Sequence, residues 1–98
     1  MIETMTIDTT PKMVARRPEQ GERLHIFIQN ASVNLVYVLE AGTEGAAGGL
    51  ILKACTGAAD GSGGVFEDEF CDHEIWVVAA ASSDVRVRRK YYKVVEPQ

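Results

Sequence analysis

Long apolar runs and helical periodicity are both missing from this sequence, and each absence removes a class of protein. No stretch approaches the roughly 18 to 20 consecutive apolar residues that a membrane-crossing helix needs, so a soluble chain is expected. No window repeats apolar residues at a spacing of about 3.6, which sets aside helical bundles and alternating α/β folds. Residues 1–12, MIETMTIDTTPK, have neither the basic start nor the apolar centre of a secretion signal. Synthesis and folding in a cytoplasm are therefore expected, where Cys55 and Cys71 stay reduced. A bridge between them across the Gly-rich segment is the alternative that spacing alone leaves open.

The usual signatures of catalysis and cofactor binding are missing as well. Residues 60–64, DGSGG, begin like a calcium loop, but its carboxylate positions would fall on Gly64 and Cys71. No Gly-Lys-Ser/Thr follows to cradle a phosphate. Ser32, Ser62, Ser82 and Ser83 offer hydroxyls and His25 and His73 offer bases, yet none sits in a GxSxG elbow. Glu67, Asp68 and Glu69 are neighbours expected on a solvated connection, where their acidity would be ordinary. Cys71 and His73 would point the same way from an extended strand, with Asp68, Asp72 and Cys55 as further donors. They lack the paired CxxC or HxxxH spacing of zinc proteins. No catalytic residue, cofactor or metal is assigned, and a non-enzymatic chain is expected.

Charge is unevenly spread. Residues 1–39 set four acids against four bases, residues 40–84 nine acids against Lys53 alone, and residues 85–98 five bases against Glu96. So short a basic segment beside an acidic one does not make the basic face that a nucleic-acid groove requires. It suits pairing between segments or between copies.

What the chain does have is period-two alternation punctuated by glycine. Strands are expected at residues 4–8, ended by Pro11, and at residues 13–15, followed by a polar loop over 16–22. The runs LHIFI and VNLVYVL, separated by the turn-forming residues 29–32, read as a central hairpin with both arms in the core. Leu24, Ile26 and Ile28 share a face in the first arm, and Leu35, Tyr37 and Leu39 in the second. Gly-rich residues 41–49 and 56–64 are expected to be the mobile loops, with a strand over 50–55 between them. After the short pair Val65-Phe66, residues 67–74 read as an acidic connection. Residues 75–81 form an apolar strand in which Trp76 is a core or interface anchor.

From residue 84 the alternation is strict, with Val85 and Val87 inward and Arg86, Arg88 and Lys90 outward. Arg89, Tyr91 and Tyr92 break the inward series, so the tail is expected either to leave the domain there or to meet a neighbour. The whole reads as one all-β domain, an antiparallel β-sandwich of about seven or eight short strands. It carries an N-terminal arm over about residues 1–11 and a C-terminal tail over about residues 91–98. Jelly-roll and immunoglobulin-like topologies are both open.

The order of these motifs carries a resemblance. Arg16-Arg17, then LHIFIQNAS at 24–32, VYV at 36–38, a Gly-rich insertion closing on Gly49-Leu50, EIWVVAAA at 74–81 and DVRVR at 84–88 follow one another over two thirds of the chain. In this order they resemble small virion-associated proteins of tailed bacteriophages, whose corresponding late strand reads EIYAIAA. The acidic residues 67–73 and the Tyr-rich end from Arg89 depart from that pattern. The resemblance implies a non-enzymatic virion structural protein, made in the host cytoplasm and present in many copies or as a homo-oligomer. A capsid decoration or cement protein on assembled major capsid protein is expected, without nucleic-acid or membrane partners. The alternative is a receptor- or carbohydrate-binding module at a tail or fibre, using the Gly-rich loops. Partner-facing residues are expected to be Arg86, Arg88, Lys90, Tyr91, Tyr92 and Lys93. On a plainer reading the stripe is a charged face that keeps a strand soluble.

Overall fold

Alternating apolar residues set where the chain is extended. In the computed structural model, which describes residues 1–95, they produce eight strands. These are β1 (Glu3–Ile7), β2 (Lys12–Ala15), β3 (Glu22–Asn30), β4 (Val36–Leu39), β5 (Leu50–Leu52), β6 (Val65–Cys71), β7 (Ile75–Ala79) and β8 (Ser83–Lys93). A single 3-10 turn lies at Ala46–Gly48. Sheet A has the order β1-β8-β3-β6 and sheet B the order β2-β7-β4-β5, with every pairing antiparallel. The sheets bury Ile7, Leu24, Ile26 and Val87 from A against Val14, Val36, Ile75 and Val77 from B. The expected β-sandwich is the observed architecture.

The strand order is that of a jelly roll. Pairs β1–β8, β2–β7, β3–β6 and β4–β5 form one long antiparallel ribbon, rolled so that β8 meets β3 and β7 meets β4. Successive strands therefore change sheet, except at β4–β5. This overturns the central hairpin, because β3 lies in sheet A and β4 in sheet B. The reason is competition for edges: β3 pairs with β8 along all nine of its residues and with β6 on its other side. The four-residue β4 could not match that ladder.

Where a hairpin turn was expected, the chain instead crosses between sheets around a fully buried Asn30. Its Nδ2 donates to the carbonyls of Asn34 (2.8 Å), Leu52 (3.2 Å) and Lys53 (3.0 Å). Its Oδ1 accepts from the Ser32 amide and hydroxyl at 2.9 and 2.8 Å. The Asn30 amide donates to Gly64 O, and its carbonyl accepts from the Cys55 thiol. A side chain at Gly63 would place its Cβ 1.9 Å from that carbonyl, so only glycine fits.

Other expectations change for related reasons. Residues 67–71 are strand rather than connection, since β3 offers an unpaired ladder and the acids Glu67 and Glu69 need only face solvent. The N-terminal arm is strand β1, held by Ile7 in the core and Met5 packed against it. The chain does not depart after Lys90: β8 stays paired with β3 as far as Lys93. Arg89 and Tyr91 continue the inward series at the open end of the sandwich. The Arg89 guanidinium donates to Val14 O and reaches the Glu3 carboxylate at 3.1 Å. The Tyr91 hydroxyl donates to Arg16 O at 2.9 Å, with the Arg16 guanidinium 3.8 Å above its ring. Residues 96–98 of the expected tail lie outside the described residues.

In β4 the core face is Val36 and Val38, whereas Tyr37, Leu39 and Trp76 share the outer face of sheet B. The 40–49 loop covers part of that face, with Gly42 against the Trp76 ring and Gly49 against Leu39. Cys55 and Cys71 are free thiols. Cys55 lies beside Asn30, near the start of β6, and Cys71 ends that strand, about 20 Å away at strand rise, too far for a bridge.

Asn30→Ala removes three hydrogen bonds to backbone carbonyls and is expected to lower unfolding free energy by about 3 kcal/mol in urea titrations. Asn34→Ala, whose side chain bonds to Ser82 O and Ser83 Oγ among the described residues, should cost about 1 kcal/mol or less. Equal losses for the two variants would contradict the role given to Asn30.

Candidate functional site

Alternation in three adjacent strands builds the outer face of sheet A. β8 points Arg86, Arg88 and Lys90 outward, β3 points Gln29, Phe27 and His25, and β6 points Val65, Glu67 and Glu69. Register aligns these as rows, Arg86 beside Gln29 beside Val65, then Arg88 beside Phe27 beside Glu67. Beyond Asp68 the β3–β6 register shifts by one residue, and both Glu69 and Phe70 are left exposed. Strand spacing separates the cationic column from the acidic one by about 10 Å, with Phe27 between them.

Contacts on this face are specific. His25 Nε2 lies 2.8 Å from Glu67 Oε2, and the Tyr92 hydroxyl donates to Glu69 O. A depression of about 200 Å³ is lined by Ile2, His25, Phe27, Glu67, Arg88 and Lys90. That is smaller than the roughly 300 to 1,000 Å³ of small-molecule pockets. Phe70 and Ile2 add exposed apolar surface at 72% and 59% exposure. An apolar floor between columns of opposite sign is suited to another protein surface.

Of the six residues expected to face a partner, Arg86, Arg88 and Lys90 lie in the cationic column and Tyr92 lies on the same face. Lys93 is exposed at the end of β8, opposite Glu22. Tyr91 is taken up inside the fold, where burial pushes its phenol pKa up. Beneath it, the hydrogen bond between Arg16 and Glu22 at 3.0 Å raises the guanidinium pKa and lowers the carboxyl pKa. Sequence reasoning missed His25, Phe27, Glu67 and Glu69 as members of this surface. Their membership depends on which strands flank β3, which is not a local property.

The Gly-rich loops are tied down. Asp60 accepts from Thr56 Oγ1 (2.7 Å) and the Gly57 amide (2.8 Å) through one oxygen, and from the Ser62 amide (2.9 Å) and hydroxyl (2.5 Å) through the other. These bonds, led by the Ser62 and Thr56 hydroxyls, hold its carboxyl far below the usual range. In the other loop the Glu44 carboxylate accepts the amides of Glu40 and Ala41. Two groups could hold a metal, Asp68 with Cys71 and His73, and His25 with Glu67 and Glu69; each converges within 4.8 Å.

A carboxyl whose pKa falls on folding stabilises above its unfolded pKa and loses that contribution only as pH drops through the lowered value. Amide exchange at Gly57 and Ser62 should therefore stay protected down to about pH 4. In Asp60→Ala the same amides should exchange at least about tenfold faster. Unchanged rates in that variant would contradict the loop's dependence on Asp60.

No family model matches the sequence, and neither a curated protein nor a solved structure matches it.

Proposed function

We propose that this chain is a non-enzymatic virion structural protein, a decoration or cement protein that coats assembled major capsid protein in many copies. The outer face of sheet A is the surface by which each copy meets its neighbour. The observation that carries this reading is the order of the columns: cationic on β8, Phe27 on β3, acidic on β6. A two-fold axis lying along β3 in the contact plane exchanges the outer columns. Arg88 then faces Glu67, Lys90 faces Glu69, and Phe27 meets Phe27. The perpendicular in-plane axis would set like charges together and is disfavoured.

Size supports a lattice rather than a free dimer. The four strands, 5, 11, 9 and 7 residues long and about 4.8 Å apart, offer a footprint of about 500 Å² per copy. A standard interface covers roughly 800 Å² per partner, so pairing is weak alone and gains strength when a capsid presents many copies together. The virion assignment itself rests on the motif order. Jelly rolls serve in viral shells, and equally in lectins, so the fold alone does not choose. Against the receptor-binding reading, the polar groups of the 56–62 loop are spent on Asp60. Hydroxyls that a hydrolase would use are occupied too: Ser32 on Asn30, Ser83 on Ala81 O.

Purified protein mixed with empty phage heads should sediment with them, and mixed with host cells should remain in solution; cell binding without head binding would overturn the proposal. Self-association should weaken as salt rises and fall about tenfold or more in Arg88→Glu. The paired swap Arg88→Glu with Glu67→Arg should restore it. A swap no better than the single variant would exclude this pairing.

A further inference from the structure

We propose that Asp68, Cys71 and His73 bind a zinc-type divalent cation that braces the end of β6 against the β6–β7 turn. The one-residue register shift in the β3–β6 ladder makes the cluster possible. Positions three apart on a regular strand face opposite ways, but the extra residue brings Asp68 and Cys71 to the same inner side. A carboxylate oxygen of Asp68, the Cys71 sulfur and a ring nitrogen of His73 lie within 4.8 Å of one another. Small side-chain movements close that spacing onto an ion about 2.0 to 2.3 Å from each donor.

The surroundings fit a bound cation in three ways. His73 Nδ1 lies 2.9 Å from Glu74 O and donates to that carbonyl, which leaves Nε2 as the nitrogen able to ligate a cation. A backbone carbonyl orienting the far nitrogen is the usual support of a metal-ligating histidine. Nε2 in turn lies 3.7 Å from Glu40 Oε1, an exposed carboxylate outside the three-residue convergence that adds negative charge beside it. The group opens onto a cleft of about 360 Å³ between edge strands β6 and β5, lined also by Glu44. No lysine or arginine occurs between residues 54 and 85 to neutralise these acids.

On binding, the Cys71 thiol proton, now donated to His73 O, passes to solvent and the thiolate ligates the ion. Cations of this class suit the mixed sulfur, nitrogen and oxygen donors better than calcium or magnesium would.

Cobalt(II) added to the purified protein should give a near-ultraviolet thiolate-to-cobalt band that zinc displaces. Zinc at about a hundredfold excess over Kd should raise the melting midpoint by about 10 °C, reversed by chelator. His73→Ala should weaken zinc binding at least about tenfold, and Cys71→Ser should abolish the cobalt band. His25→Ala, in the rival cluster on sheet A, should change neither. Circular dichroism checks each fold, and His73→Ala carries the test if Cys71→Ser unfolds. Absence of the thiolate band in wild type, or loss of binding in His25→Ala rather than His73→Ala, would overturn the site.

Discussion

The fold depends on the crossing at Asn30. A jelly roll sends the chain from one sheet to the other at almost every connection, and each crossing leaves carbonyls without ladder partners. At the crossing from β3 to β4 the carbonyls of Asn34, Leu52 and Lys53 all accept from one carboxamide, and those of Asn34 and Lys53 accept also from the Ser32 hydroxyl and the Gly64 amide. Losing the carboxamide would forfeit three hydrogen bonds worth about 0.5 to 1.5 kcal/mol each, a sizeable part of a small domain's stability. The same residue excludes any side chain at Gly63 and accepts the Cys55 thiol, so three separate segments close on it.

From that pin follows the exposed architecture. With β3 held between β8 and β6, a single strand carries Phe27 at the middle of a surface whose flanks differ in sign. The uneven charge of the sequence thereby becomes spatial: the acidic 67–69 stretch and the basic 86–90 stretch lie in one sheet, one strand apart. On the opposite sheet the 40–49 loop partly covers Trp76 and Leu39, although Met13 and Ile51 remain open to solvent.

Much of this was legible in the residues, and the rest was not for identifiable reasons. Alternation located β3, β4, β7 and the Arg86, Arg88, Lys90 face, because strand period is a local property. Pairing was not legible. Residues 29–32 carry ordinary turn chemistry, and nothing local says that Asn30 turns inward to bond three carbonyls instead of closing a hairpin. The acids of β6 concealed a strand whose other face packs Phe66 against the core. Arg89 and Tyr91 looked like the end of the fold because each is polar at an inward position; their partners, Val14 O and Arg16 O, come from the far end of the chain. The convergence of Asp68 with Cys71 depended on a register shift that no spacing rule anticipates.

The central claim is that copies meet through the outer face of sheet A with the charged columns exchanged. Zero-length carbodiimide cross-linking of a mixture of unlabelled and nitrogen-15-labelled protein tests it most directly, since mixed-label peptides arise only between copies. The account predicts mixed-label links from Lys90 to Glu69 or Glu67. Mixed-label links confined to Lys12 or Lys53, which belong to the other sheet's side of the molecule, would contradict it.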